Sequence, residues 1–267
     1  MPPGSIKTRR FICQQFRHAG HAKSVSTQHS LPVLYQDDDL IAVHKPSGMF
    51  VHPSDADRSV SETAMQLLRD QIGAFIYPVH RLDRATSGVL LMALNPEAAA
   101  GAGRAFTERR VRKTYRALVR GFTDEEGRIC DPLVPARGRK LPDDHPHAEP
   151  QEAETEYRTL ARFEVPVSND RHPTTRSSLV EAFPKTGRYH QIRRHFNYIS
   201  HPVIGDTSHG DSRHNAIYRE HFGMTRLMLA AVELVLPHPR RDVEVKISAP
   251  PERLFTSVVQ QLQAHTV

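Results

Sequence analysis

The order of strand-like and helix-like segments is the feature of this 267-residue sequence that most constrains its fold. Runs of strand length recur along the chain, and amphipathic segments stand between only some of them. The runs with a strand pattern are 31–35, 40–44, 88–94, 113–119, 155–165, 178–183, 227–236 and 243–248. Because strands and helices do not alternate regularly, the sequence predicts an α+β fold with a mixed, mostly antiparallel central sheet.

Start and stop signals predict three of the helices. Residues 59–62 (SVSE) have the pattern of a capping box, which predicts a helix that begins there and ends at Gly73. Residues 95–96 (Asn-Pro) have the cap and proline signals of a second helix start. Residues 251–264 read as a closing helix.

Residues 188–199 predict a fourth, amphipathic helix. Its apolar side is formed by residues at helical spacing: Tyr189, Ile192, Phe196 and Ile199. Arg193 lies at the margin of that side, four residues after Tyr189, from where it could reach inward. The sequence therefore predicts an arginine at the edge of a buried helix face.

The run 113–119 (KTYRALV) alternates like a half-buried strand. Tyr115, Ala117 and Val119 share one face, and Thr114, Arg116 and Leu118 share the other. This pattern predicts that Tyr115 points into the protein while Arg116 faces outward, where it could meet phosphates.

The positive charge of the chain is unevenly distributed. The sequence holds 36 Lys and Arg against 30 Asp and Glu, which gives a formal net charge of +6. Residues 1–30 carry five basic residues and no acidic one, so we expect a basic, flexible N-terminal extension there. The remainder is nearly neutral, but residues 104–120 and 185–194 are strongly basic clusters. A basic protein with local basic clusters favours a polyanionic partner.

Several classes of protein are disfavoured by the composition. No apolar run approaches the ~18 residues that a membrane span needs. Cys13 and Cys130 are too few for a disulfide framework, and a reducing, cytoplasmic compartment fits. His190 and His195 lie five residues apart, which is not the spacing of the zinc motif H-E-x-x-H, so we expect no metal site.

Residues 80–88 (HRLDRATSG) form the densest group of polar side chains, directly before the apolar run 88–94. Asp83 stands close to Arg81 and Arg84, and nearby positive charge lowers the pKa of a carboxylate. We therefore expect Asp83 to be ionised in a candidate functional loop. The alternative interpretation is that Asp83 only caps a turn and pairs with Arg84.

The same nine residues closely resemble the catalytic motif of the RluA-type pseudouridine synthases. Further segments resemble that family's motifs in the family's order: KPSGMFVH at 45–52, KTYRALV at 113–119, TGRYHQIRRH at 186–195 and HPVIGD at 201–206. The resemblance implies that residues 31–267 form one pseudouridine synthase catalytic domain, with helices and loops around the sheet and an active-site cleft across it. Residues 135–154, rich in proline and charge, are expected to be a loop or insertion.

Other segments resemble one branch of the family. DTSHGDSRHN at 206–215, MQLLRDQIG at 65–73 and PTTR at 173–176 are similar to the tRNA pseudouridine synthase C branch. That branch acts on uridine 65 of certain tRNAs. We therefore expect tRNA as the partner, with no obligatory protein partner evident. Ribosomal RNA as the substrate is an alternative, and so is a non-catalytic protein that binds or remodels RNA.

The resemblance implies an isomerisation without a cofactor, in which uracil leaves its ribose, rotates and is rejoined through C5. Asp83 matches the family's nucleophile, and Tyr115 matches the tyrosine that stacks on uracil and takes part in removal of the C5 proton. Arg193 matches the basic partner of the aspartate, with Arg188 as the second choice. Arg81 matches the residue that fills the space left by the flipped-out base.

Five basic residues are candidate RNA contacts: Arg84, Lys113, Arg116, Arg188 and Arg194. A solvated surface position is the alternative for Arg188 and Arg194. One departure from the family lies after Arg226–Leu229 (RLML), where Ala230 stands in place of a frequent histidine. Because that position is not expected to be catalytic, the departure has little effect on the predicted function.

Overall fold

The computed structural model of the protein describes residues 30–52, 62–135, 149–169 and 171–267. Within these ranges, ten strands form one sheet and five α-helices pack around it. In chain order the elements are β1 (Val33–Gln36), β2 (Leu40–Lys45), α1 (Ala64–Ile72), β3 (Tyr77–Pro78), β4 (Ser87–Ala93), α2 (Pro96–Thr107), β5 (Arg112–Arg120), β6 (Glu126–Ile129), β7 (Thr155–Val165), β8 (Thr175–Pro184), α3 (Gln191–Tyr198), α4 (Ser212–Phe222), β9 (Leu229–Pro237), β10 (Glu244–Ser248) and α5 (Arg253–Leu262).

The sheet is mixed and mostly antiparallel, which confirms the predicted fold class. Its strand order is β1-β2-β4-β9-β5-β8-β7-β6, with β3 beside β4 and β10 beside β9. Among the described strands, β4 and β9 form the parallel pair, where Ser87 lies opposite Ala230 and Gly88 opposite Ala231. Gly88 has φ of 115°, and a Cβ there would lie 2.0 Å from the carbonyl oxygen of Ala231. Only glycine permits this close approach, which seats residues 80–87 beside the central strands.

Two hydrophobic cores lie on one face of the sheet, and Tyr115 contacts both. Helix α1 packs over Ile41, Val43, Leu90 and Met92, and α3 packs over Ala117, Val119, Val180 and Ala182. The opposite face is covered by α2 and by α4 with α5. Because Tyr115 lies where the first two cores meet, its ring marks the boundary between the α1 side and the α3 side of the sheet.

The predicted strands at 31–35, 40–44, 88–94, 155–165, 178–183, 227–236 and 243–248 are all observed with small shifts of their ends. Strand β5 is also present, but its predicted half-burial is wrong at Leu118, which is fully buried. Leu118 belongs to the core beneath α4 and α5, which cover the face that was expected to be exposed. Helix α4 and the short strands β3 and β6 were not predicted.

Two helices begin later than predicted. The predicted capping residues 59–61 lie outside the described residues, and α1 is instead capped by Thr63, whose side chain accepts from the backbone of Gln66. Gly73 ends α1 in the left-handed conformation, as expected. Helix α3 starts at Gln191 because His190 is left-handed, with φ of 51°. Tyr189 therefore precedes the helix and is 46% exposed, so its predicted burial is wrong.

The long loop predicted at 135–154 is described only at its two ends. Leu133 and Gln151 form an isolated antiparallel bridge with N–O distances of 2.9 and 3.0 Å. The two ends of the segment are therefore held together. None of the helices in the described part of the chain has the length and apolar character needed to cross a membrane.

Candidate active site

The loop that carries Asp83 is fixed at its start by His80. The Nε2 atom of His80 accepts a hydrogen bond of 2.9 Å from the backbone nitrogen of Leu91 in β4. Burial, together with the charge of Lys113, lowers the pKa of His80 to about 4. The ring is thus neutral at pH 7 and can act as the acceptor. Leu82, which is buried in the core beneath α1, holds the loop two residues further on.

Lys45 holds the same loop from below. Its fully buried amine donates to the carbonyl oxygens of Pro46, Met49 and Arg84 at 2.9, 2.8 and 3.2 Å. Burial and the nearby charge of Arg226 lower the pKa of Lys45 to about 7, although the charge of Asp83 opposes this shift. Lys45, at the end of β2, therefore binds the backbone next to Asp83, and the turn after β2 forms part of the wall of the site.

Asp83 faces Arg193, the residue that the family resemblance implies as its partner. One guanidinium nitrogen of Arg193, Nη1, lies 3.6 Å from Oδ2 of Asp83. Arg193 is buried at 5% exposure, so the margin position in α3 does reach inward. Arg188, the second choice, instead donates from Nε to the carbonyl of Glu152 at 3.0 Å. The structure thus brings Arg193 and not Arg188 to Asp83.

A second carboxylate, which the sequence analysis did not single out, holds Arg193 in place. Asp206 accepts from Nε and Nη2 of Arg193, both at 2.7 Å, in a two-bond arrangement. Asp206 also accepts from the backbone nitrogens of Ser208 and His209, both at 2.9 Å. The sequence signal that could have identified Asp206 is its position at the end of HPVIGD (201–206), one of the segments that resemble the family's motifs. Planar two-bond pairing of this kind fixes an arginine strongly.

The electrostatics of Asp83 differ from the expectation. Burial raises the pKa of Asp83, and the charges of Arg193 and Arg81 oppose this without cancelling it. The prediction that flanking arginines hold this pKa low is therefore wrong. Arg84 does not pair with Asp83: its Nε donates to the carbonyl of Gly48 at 3.0 Å, and its guanidinium lies over the ring of Phe50. Arg81 is exposed, so water screens its charge.

Tyr115 lies beside this group from β5. Burial, and next the negative charge of Asp83, raise the pKa of the Tyr115 hydroxyl well above its usual value of 10. The phenol is therefore protonated at neutral pH. Its ring offers an apolar surface for a base to stack on, and its hydroxyl can donate or accept a hydrogen bond.

His190 is a further residue at the site that the sequence analysis did not select. Its Nε2 lies 3.9 Å from Oδ2 of Asp83, and its Nδ1 lies 2.9 Å from Nε2 of His209. The ring stacks on Tyr189 with 3.6 Å between centroids. Burial and the charge of Arg193 lower the pKa of His190 to about 3, so it adds no second positive charge beside Asp83.

The other predicted RNA contacts lie around this centre. Arg116 points to the sheet face opposite Tyr115, with its Nε 3.6 Å from a carboxylate oxygen of Glu181. Lys113 donates to the carbonyl of Thr186 at 2.9 Å, and burial lowers its pKa to about 8. Arg194 donates to the carbonyl of Val134 at 2.8 Å. Their contacts with RNA stay predictions.

A comparison of the sequence with models of protein families identifies the family of this chain. A model described as RNA pseudouridylate synthase matches residues 39–198, which contain Asp83, Tyr115 and Arg193. The chain belongs to the RNA pseudouridylate synthase family. The resemblance to the RluA-type enzymes is thereby confirmed, and the reaction class is the isomerisation of uridine in RNA.

Relatives of known name support the same family. A protein of Vibrio parahaemolyticus named tRNA pseudouridine synthase C is 47% identical over 221 residues, covering 82% of this chain and 89% of that protein. A protein of the same name from Pectobacterium carotovorum is 44% identical over 260 residues, covering 96% of this chain and 69% of that protein. The solved structure of human RNA pseudouridylate synthase domain containing 4 has a TM-score of 0.65 at 25% identity, covering 87% of this chain and 93% of that one. The solved structure of human RNA pseudouridylate synthase domain containing 1 has a TM-score of 0.63 at 25% identity, covering 91% of this chain and 98% of that one.

Proposed function

We propose that this pseudouridine synthase converts uridine 65 of tRNA into pseudouridine, with Asp83 as the nucleophile. The relatives named tRNA pseudouridine synthase C support tRNA as the substrate. The structural observation that carries the role of Asp83 is its placement: a largely buried carboxylate that faces Arg193, which Asp206 in turn holds from the far side.

In the proposed reaction the bond between N1 of uracil and C1′ of ribose breaks, and a bond between C5 and C1′ forms. N1 gains a proton and C5 loses one, so no external reactant is needed. The carboxylate of Asp83 serves either of two routes, addition to the uracil ring or attack on C1′. Because burial removes water from this carboxylate and raises its pKa, it is a better nucleophile than a hydrated one.

Arg193 and Tyr115 have distinct roles in this proposal. Arg193 keeps Asp83 ionised and oriented, since a charge in a buried site needs a partner. Tyr115 stacks on the flipped uracil and, as a neutral phenol, hydrogen-bonds to it during transfer of the C5 proton. His190 completes the wall beside Asp83 as a neutral ring.

Binding of the RNA requires the target base to leave its helix, which costs a few kcal/mol. Arg81, exposed and two residues before Asp83, is suited to fill the space that the base leaves. Contacts to phosphates offset the remaining cost, and we assign them to Arg84, Lys113, Arg116, Arg188 and Arg194. We further propose that residues 31–267 form the catalytic domain, residues 1–30 an extension, and that the enzyme works in the cytoplasm without an obligatory protein partner.

Release of tritium from C5 of uridine in tRNA tests the chemistry. The wild-type protein is expected to release it, and Asp83→Asn is expected to bind tRNA without release. Unchanged release by that variant would falsify the assignment of the nucleophile. No release by the wild type on tRNA or ribosomal RNA would indicate a non-catalytic RNA-binding protein.

Mapping of pseudouridines in a strain that lacks the protein tests the target. We expect the modification at position 65 of tRNA to disappear while the ribosomal pattern stays the same. An unchanged tRNA pattern beside a lost ribosomal site would instead make ribosomal RNA the substrate. Restoring the wild-type protein, but not Asp83→Asn, should restore the modification.

A further inference from the structure

A cavity of about 850 Å³ lies away from Asp83, at the ends of the central strands. Its walls come from the end of β5, the start of β8, the segment between β7 and β8, and the start of α4. The residues that matter for its chemistry are Arg120, Arg171, Arg176, Arg213, Glu164 and Asp211. We name this cavity the basic cleft.

Four guanidinium groups and two carboxylates are among the described side chains that line the basic cleft. Arg120 pairs with Asp211 at 2.5 Å, and Arg176 pairs with Glu164 at 3.0 Å. His172 and His214 also line the cavity. The two carboxylates orient two of the arginines, and Arg171 and Arg213 also line the cavity. The guanidinium fork matches the oxygens of a phosphate, so the chemistry of the cleft favours phosphate groups.

Two sequence segments that resemble the tRNA pseudouridine synthase C branch meet at this cleft. Residues 173–176 supply one wall, and residues 211–214 of the segment 206–215 supply another. The segment 206–215 also joins the cleft to the active site, because Asp206 holds Arg193 while Asp211 holds Arg120. The same backbone therefore fixes a catalytic partner at one end and a cleft arginine at the other.

The distance between the two sites suits a long substrate. Tyr115 and Arg120 lie five residues apart on β5, which corresponds to about 16 Å at ~3.3 Å per residue. A single nucleotide in the active site cannot extend that far, whereas a nucleic-acid backbone can. An elongated polyanion is therefore long enough to occupy the active site and the cleft at the same time.

We propose that the basic cleft is a second RNA-docking site, which binds backbone phosphates of the tRNA several nucleotides from the reacting uridine. This inference rests on the proposed function, because it takes the tRNA of that reaction as the ligand. Since phosphates carry no base identity, the cleft sets the register of the tRNA on the enzyme. Docking there places the correct uridine over Asp83.

The double variant Arg171→Gln/Arg176→Gln tests the proposal, since both side chains are exposed and lie outside the active site. Its matched control is Arg219→Gln/Arg253→Gln, which removes the same charge from exposed positions that do not line the cleft. Affinity for tRNA is measured by fluorescence anisotropy at several salt concentrations, with Asp83→Asn added to every protein to prevent turnover. We expect about tenfold weaker binding for the cleft variant and a salt slope smaller by about 2, one for each lost phosphate contact.

Steady-state measurements with Asp83 restored give a second readout. The cleft variant should raise KM by a similar factor and leave kcat within about twofold, because the chemistry at Asp83 is untouched. Affinity and salt slope equal to those of the control would overturn the proposal. Inorganic phosphate could instead raise the unfolding temperature of the wild type while both double variants bind tRNA with equal affinity. That result would assign the cleft to a free anion and would also overturn the proposal. Because anisotropy reports binding and not turnover, failure of the cleft proposal is distinguishable from failure of the proposed activity.

Discussion

Arg193 donates two hydrogen bonds of 2.7 Å to Asp206 and has one nitrogen 3.6 Å from Asp83. One guanidinium is therefore shared by two carboxylates, and it is tightly bound to the one that is not proposed to react. This arrangement explains why the two carboxylates have opposite pKa shifts. Burial raises the pKa of Asp83. Asp206 is buried too, but its pKa is lowered because it accepts two hydrogen bonds from Arg193 and others from the backbone nitrogens of Ser208 and His209. Asp206 fixes the arginine, and Asp83, the proposed nucleophile, is left less tightly paired.

Replacement of Asp206 by Asn should impair catalysis through Arg193. The guanidinium loses its ionic anchor, and a displacement of about 1 Å near a reacting group can cost about 10²-fold in rate. We expect kcat to fall by about 10²-fold while KM changes little, measured by C5 tritium release. The exposed variant Asp242→Asn controls for the loss of one negative charge.

The pH profile of Asp206→Asn separates positioning from a general loss of structure. Without the competing carboxylate, the charge of Arg193 acts on Asp83 alone, so the pKa of Asp83 should fall. The acid limb of the rate profile should then move to lower pH. A variant with reduced activity but an unmoved acid limb would contradict this account.

Asp83→Asn should abolish turnover and stabilise the fold at neutral pH. Because the folded-state pKa of Asp83 is raised, the folded protein binds more protons than the unfolded chain between the two pKa values, so stability falls as pH rises through that window. Above that window the ionised Asp83 is therefore destabilising, and the amide removes this effect. We expect activity to fall by more than about 10³-fold and the unfolding temperature to rise.

Thermal unfolding at pH 7 and near pH 4 provides the check for Asp83→Asn. The difference in unfolding temperature between Asp83→Asn and the wild type should shrink as the pH is lowered, because the raised pKa favours the protonated form of Asp83 in the folded protein. An equal or larger difference there would contradict the raised pKa. The acid limb of wild-type activity should also lie above the ordinary Asp value of 3.8.

The strands and the central residues of the site could be predicted because their signals are local or carried by motifs. The run 88–94 is apolar throughout, and β4 is buried over its whole length. Asp206 could not be derived from periodicity, since its role depends on a contact with Arg193 thirteen residues away. The burial of Tyr189 was wrongly predicted because helical spacing alone does not reveal that His190 is left-handed. This residue delays the start of α3 until after Tyr189. The burial of Leu118 was not predicted because the helices that cover it, α4 and α5, begin far later in the chain, at Ser212 and Arg253.

Tyr115→Phe should slow the chemical step without loosening the fold. The ring, which packs between two cores, is retained, and only the hydroxyl is lost. We expect C5 tritium release to slow by about 10²-fold, within the range for a group that assists proton transfer. Affinity for tRNA should stay the same. Tyr77→Phe, which lies against the core on the other face, is the matched control.

The ionisation of Tyr115 gives a further check on its role. Because its pKa is raised above 10, the phenol does not ionise between pH 7 and 9. The difference in rate between wild type and Tyr115→Phe should therefore be constant over that range. A difference that grows tenfold per pH unit would indicate a phenolate base and contradict the neutral role.

Lys45→Met should destabilise the loop of Asp83. Three carbonyl oxygens lose their donor, and a buried acceptor left without a partner costs about 1–3 kcal/mol, offset in part by removal of a buried charge. We expect a net loss of about 1–3 kcal/mol in the free energy of unfolding and a lower kcat. Urea unfolding and tritium release measure the two effects, with exposed Lys246→Met as the control.

The pH dependence of stability tests the environment of Lys45. Its folded-state pKa of about 7 lies below the ordinary value, so between roughly pH 7 and 10 the folded state binds fewer protons than the unfolded chain. Wild-type stability should therefore rise with pH in this window relative to Lys45→Met. A gap between the two proteins that does not change from pH 7 to 9 would contradict the lowered pKa.

Deletion of residues 1–25 should leave catalysis largely intact and weaken RNA binding mainly at low salt. The deletion removes the five basic residues of the proposed N-terminal extension, whereas the proposed catalytic groups and the basic clusters at 104–120 and 185–194 remain. Exposed charges act over about 10 Å at 0.1 M salt and over about 30 Å at 0.01 M, so their contribution to binding fades as salt rises. We expect kcat to be within about twofold of the full chain, with lower tRNA affinity at low salt. A full-length variant with the five basic residues changed to Gln should bind like the deletion, since charge and not length is responsible. A deletion variant that folds normally but has no activity would show that the extension belongs to the catalytic unit.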